Sequence, residues 1–122
     1  MKIRNLVVLI MLGIFVIAAS GCGHRETYGE RISNRNITAL GDILSHPKDY
    51  DGKTVTVKGK ITLECETGCW FNLKDGNAVI YVDLSPSGFA IPQNSGRSAI
   101  VEGSITIKDG KPTLVSKGVE LI

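Results

Sequence analysis

The side chains best suited to chemistry are two thiols in the run Cys65-Glu66-Thr67-Gly68-Cys69-Trp70-Phe71. Three residues ending in glycine separate them, a spacing that suits a hairpin loop made of a type I turn followed by a left-handed position. Opposed positions across antiparallel strands lie about 4.5–5.5 Å apart at Cα, a separation that a disulfide tolerates. In an oxidising compartment the expectation is a structural disulfide. The loop it closes is short, so its stabilisation falls at the low end of the roughly 0–5 kcal/mol range. The alternative is a reactive pair, Cys65 and Cys69, that exchanges electrons with other disulfides or carries a soft ion such as copper(I). Structural zinc normally takes four ligands, and neither His24 nor His46 is near in sequence.

No catalytic set accompanies the thiols. His24 and His46 belong to no nucleophile, base and orienting group, and Asp49 and Asp51 sit in turn-forming sequence where aspartate is expected for backbone reasons. The expectation is a protein that is not an enzyme and needs no cofactor. Aromatic groups offer a binding surface instead. Trp70 and Tyr81, with Phe89 in the following loop, are the candidate ligand-contacting residues, of the kind that stack on a base or a sugar.

The third cysteine has a different context. Lys2 and Arg4 precede an unbroken apolar run from Leu6 to Ala19, which reads as a signal peptide and is too short for a comfortable membrane span. Ala19-Ser20-Gly21-Cys22 resembles the lipobox of bacterial lipoproteins, in which cleavage leaves an N-terminal cysteine that receives diacylglycerol. The resemblance implies that residues 1–21 are removed, that Cys22 is the lipidation site with palmitate-like acyl chains, and that the protein is held at a membrane of the cell envelope. Gly23 stands where Asp is the familiar inner-membrane retention signal of enteric bacteria. Outer membrane is therefore expected where the cell has one.

Cleavage also removes Lys2 and Arg4, so the 14 basic residues fall to 12, matching the 12 acidic ones. A neutral mature chain argues against a phosphate-backbone partner, whose binding rests on clustered Lys and Arg. The expected partners are the membrane, through Cys22, and an envelope protein or small ligand. Residues 22–36 are polar, with only Tyr28 and Ile32 as sizeable apolar groups, and read as a lipidated flexible tether.

Residues 37–122 carry the domain. Thr38 is expected to cap a short helix through Leu40, Ile43 and Leu44 that ends before Pro47. Val55, Val57, Gly59, Ile61 and Leu63 then alternate with polar residues, predicting a long strand that bends at Gly59. Further strands are predicted at Trp70–Leu73, Ala78–Leu84, Ala99–Ile107 and Thr113–Ile122, with Asp75-Gly76 and Asp109-Gly110 as hairpin signals and Ser85–Arg97 as a loop. One short N-terminal helix and five strands, all-β otherwise, fit an OB-like Greek-key barrel.

The stretch Ile43-Leu44-Ser45-His46-Pro47-Lys48-Asp49-Tyr50-Asp51-Gly52-Lys53, followed by Thr54-Val55-Thr56-Val57-Lys58-Gly59, resembles the opening of the small OB-like domains of bacterial envelope proteins. That resemblance implies the barrel and a binding role, and Gly68-Cys69-Trp70-Phe71 resembles a hairpin found in a subset of them. The usual OB helix between the third and fourth strands is replaced here by Pro- and Gly-containing sequence, which keeps a β-sandwich or another small barrel open.

Overall fold

The computed structural model describes residues 25–122, so the expected signal peptide at 1–21, Cys22 and His24 lie outside the described residues. The elements are β1 (Glu26–Gly29), α1 (Leu40–Ser45), α2 (Pro47–Tyr50), β2 (Thr54–Glu64), β3 (Trp70–Asp75), β4 (Ala78–Asp83), β5 (Ser98–Lys108) and β6 (Lys111–Leu121).

The alternation read from the sequence sets the barrel. Val57 and Ile61 of β2, Phe71 and Leu73 of β3, Val82 of β4, Val101 of β5 and Leu114 of β6 are all fully buried in one core. β2 serves two neighbours: residues 54–60 pair with β5, and residues 60–64 pair with β3. At the changeover a Cβ on Gly59 would lie 2.6 Å from the Lys74 carbonyl oxygen, so only glycine lets the strand coil there. β3 and β4 continue as an antiparallel meander, β4 meets β6 in parallel at Tyr81–Asp83, and β6 returns antiparallel to β5. The five strands close into an OB-like barrel. Asp109 and Gly110 both take positive φ, as a two-residue type I′ hairpin requires.

The end elements differ from expectation in two ways. Thr38 does not cap α1; Ala39 stands at that position without a side-chain cap, while the Thr38 N–H donates to the Thr56 carbonyl at 2.7 Å. Extended pairing with β2 thus takes the residue that the capping pattern suggested. Pro47, expected only as a stop, also opens α2, because a helix's first position needs no donor. Leu40 and Ile43 are buried, and α1 packs against β4 and β6. Between β4 and β5 the described chain holds one 3₁₀ turn, Ser85–Ser87, where an OB helix would usually sit.

The described part of the expected tether, residues 25–36, is instead a strap bound to the barrel. Its strand β1 pairs antiparallel with the last residues of β6, Gly118–Leu121. Two carboxylates that alternation places outside the core hold the rest of the strap. Glu102 accepts hydrogen bonds from the Ser33 hydroxyl at 2.9 Å and the Asn34 N–H at 2.9 Å, and from the Thr56 hydroxyl at 3.4 Å. Glu120 pairs with Arg35 at 2.7 Å and Arg25 at 3.0 Å. Covered by the strap, the two glutamates are only 4% and 3% exposed. The strap crosses at Gly118, where a Cβ would come within 2.0 Å of the Glu30 carbonyl oxygen. A polar segment composed like a tether is therefore ordered by polar bonds.

Burial opposes the charge of Glu102, but the hydrogen bonds from Asn34, Ser33 and Thr56 outweigh it and hold its pKa below the usual carboxylate range. The Arg35 hydrogen bond, joined by the attraction of Arg35 and Arg25, does the same for Glu120 against its own burial. Both groups release their protons more readily folded than unfolded, so their contribution is complete above the ordinary range and is lost as the pH falls through the folded values. Urea unfolding over a pH series should show stability declining on the acid side, with a shallower decline in Glu120→Gln. Glu102→Ala leaves the strap donors without an acceptor and should cost about 1–3 kcal/mol. Hydrogen exchange read by mass spectrometry should then show faster exchange across residues 26–36; unchanged exchange would mean that Glu102 does not hold the strap.

Candidate functional site

Barrel closure leaves one outer surface bare of the strap. Along β3, Phe71 and Leu73 point into the core, so Trp70, Asn72 and Lys74 point out; on β4, Ile80 and Val82 are buried and Val79, Tyr81 and Asp83 are outside. Directly opposed residues share a face, and the register lines up Leu63, Asn72, Tyr81 and Thr113 across β2, β3, β4 and β6. The shift in register between Ile61 and Leu63 brings Leu63 onto this outer surface.

Trp70 and Tyr81 stack diagonally across the strand pair, with ring centroids 5.3 Å apart and planes inclined by 26°. Around them Leu63 is 57% exposed, Val79 40% and Tyr81 38%. Beside the rings an open groove of about 450 Å³ runs between Asn72, Val79 and Tyr81 on one side and the β5–β6 hairpin tip, with Lys108 and Lys111, on the other. Lys108 reaches Asp83 at 3.9 Å. Burial, and secondarily the charge of Asp83, push the Tyr81 phenol up, so it stays protonated and able to donate. The face offers stacking, apolar contact, one amide and charges of both signs.

Cys65 and Cys69 are joined as a disulfide, with Cα atoms 5.7 Å apart, across the loop between β2 and β3. Gly68 takes φ +73°, the left-handed position the spacing predicted, and its N–H donates to the Cys65 carbonyl at 2.9 Å. This loop is fastened to the β4–β5 connection. A Cβ on Gly68 would lie 1.9 Å from the Ile91 carbonyl oxygen, Gln93 donates to the Cys65 and Glu66 carbonyls, and Glu64 accepts from the Asn94 N–H and the Ser95 hydroxyl. The disulfide thus belongs to the wall beside Trp70.

Of the candidate residues, Trp70 and Tyr81 are brought together, and so are Cys65 and Cys69. Phe89 is elsewhere: it is half-buried against the core, with its ring within 2.9 Å of where a Cβ of Gly29 in β1 would stand. Among the described residues no group of three His, Cys, Asp or Glu converges as a metal site, and His46 lies exposed between α1 and α2. Leu63, Asn72 and Val79 were not singled out from sequence. Strand alternation is the signal that could have found Asn72 and Val79, whereas it points Leu63 inward, a phase that the register shift reverses.

No protein-family model matches this chain, and no curated protein matches it. Solved structures do. The chain is similar to the hypothetical protein ygiW from E. coli, with TM-score 0.52 and 17% identity over 78% of this chain and 100% of that one. It is also similar to the asparaginyl-tRNA synthetase from Pyrococcus horikoshii, with TM-score 0.59 and 15% identity over 71% of this chain but only 23% of the synthetase. At such identities the likeness shows the fold alone, an OB-like barrel.

Proposed function

We propose that this protein is a non-catalytic binding module, anchored to a membrane of the bacterial envelope by lipid on Cys22, that recognises an envelope protein or small ligand on the outer face of β3 and β4. The observation that carries the binding reading is the Trp70–Tyr81 stack, in which Tyr81 is exposed and Trp70 half-buried, flanked by the exposed Leu63 and Val79 on a face the core does not use. Apolar groups gathered on an outer surface favour an interaction site over solvent. Position supports it as well. β3 and β4 are the second and third barrel strands, and the 65–69 loop and the 108–111 hairpin are the two loops that border the ligand face of OB-folds.

The polar groups at this face also favour binding over catalysis. Asn72, Tyr81, Lys108 and Asp83 can orient a ligand, but they contain no nucleophile with a base beside it. The mixed charge of the groove, together with a neutral mature chain, favours an uncharged ligand or a protein surface over nucleic acid. The anchor rests on the Ala19-Ser20-Gly21-Cys22 pattern after the apolar run, and outer membrane is the proposed location where one exists.

Three measurements test this reading. Intact-mass analysis of protein from native membranes should show acyl chains on Cys22; an unmodified cysteine would remove the anchor. Trp70→Ala with Tyr81→Ser should abolish recovery of partners by photo-crosslinking from position 79 while the circular dichroism melt stays cooperative, and undiminished crosslinking would rule out this face. Cys65→Ser with Cys69→Ser should lower stability by only about 1 kcal/mol, given the short loop, and leave crosslinking intact. A well-folded double variant that loses function would shift the site to the thiols.

A further inference from the structure

A second charged surface lies on the strap, away from the aromatic face. Three of the chain's five arginines, Arg25, Arg31 and Arg35, gather within eleven residues and line a shallow groove with Thr27, Ile32 and Glu120. The β1–β6 register explains their grouping. Thr27 is opposite Glu120, so both face outward, while Glu26 is opposite the buried Leu121 and turns to the other face of β1. Glu30 does not line the groove. The one carboxylate present, Glu120, is buried and bonded to both Arg25 and Arg35, which fixes these two guanidinium groups at the rim. Arg31 is exposed and has no ion-pair partner among the described residues. Three cations around one anion leave the groove positively charged on a mature chain whose net charge is zero.

The position of this groove in the chain indicates its partner. Arg25 is already bonded to Glu120, and only three residue steps separate it from Cys22. Three residues span at most about 11 Å in any conformation. A lipid on Cys22 therefore holds the groove at the bilayer surface with no slack. We propose that the groove formed by Arg25, Arg31 and Arg35 docks the barrel directly on the phosphate headgroups of anionic phospholipids in the membrane that carries the anchor. This docking rests on the lipid anchor proposed above. Guanidinium groups suit the role because each presents several donors to phosphate oxygens. β1 extends the sheet beside β6, and Asn34 and Arg35 cross over outward side chains of β5, β2 and β6, namely Glu102, Thr56 and Glu120, so in the closed strand order β2-β3-β4-β6-β5 docking by the strap turns the β3–β4 face away from the bilayer.

The test uses the acylated protein placed in vesicles of phosphatidylcholine alone or of phosphatidylcholine mixed with phosphatidylglycerol. An arginine-selective dicarbonyl reagent is added, and the acylation of Cys22 and the modification of Arg31 are read from the same peptide digest. The expected result is that Arg31 reacts about fivefold more slowly on the phosphatidylglycerol vesicles and that molar salt removes the difference. Equal reactivity on the two vesicles, with Cys22 acylated, overturns the docking and leaves the anchor standing. A Cys22 without acyl chains overturns the anchor and the docking with it. Protection of Arg31 by inorganic phosphate in detergent, as strong as on anionic vesicles, marks a site for free anions and overturns docking on lipid.

Discussion

The structure depends on a single strand being able to belong to two neighbours. β2 pairs with β5 through its first half and with β3 through its second, and the coil between them exists because Gly59 lets the Lys74 carbonyl approach. With a side chain at that point the strand would stay straight, and the edges of β5 and β3 would have no shared partner. Closure then determines everything outward. It fixes which residues of β3 and β4 leave the core, brings Leu63 beside Asn72, and sets the phase in which Glu102 and Glu120 emerge on the opposite flank of the barrel.

Those two glutamates divide what could be read from the sequence from what could not. The strands, the two hairpins signalled by Asp-Gly, the bend at Gly59 and the left-handed Gly68 were legible because each follows from local chemistry or from a two-residue period. The strap was not. Its residues are polar, and low apolar content is the usual signature of a solvated linker. The groups that bind it, Glu102 and Glu120, occupy outward positions of alternating strands, where a charged residue is read as facing water. Only the closed barrel shows that Gly118 opens a path for the Glu30 carbonyl and that the two carboxylates meet donors from residues nearly seventy or more positions earlier. Pairings so distant in sequence leave no periodic trace.

The aromatic site was legible in part for the same reason. Trp70 and Tyr81 could be identified by residue type, and their diagonal contact follows from the β3–β4 register. Phe89 could not be placed, because it lies in an irregular connection whose course is set by the bonds of Gln93, Asn94 and Ser95 to the preceding hairpin. Strict alternation points Leu63 into the core, and the irregularity after Ile61 reverses it. A shift of one residue moves every later side chain to the other face. That shift adds an apolar group to the very surface on which the rings stack.

The strap and the aromatic face also bear on each other. A domain on a slack tether samples all orientations, and a partner that engages one face must restrict that freedom when it binds. Here the strand pairing of β1, the Glu102 hydrogen bonds and the Glu120 ion pairs remove the slack before any ligand arrives. On the proposed reading, the barrel is held close to the membrane on its β6–β5–β2 side and presents Trp70 and Tyr81 on the side that faces away. The orientational cost is then met by folding, and the buried carboxylates that order a polar segment become the means by which the binding face is aimed.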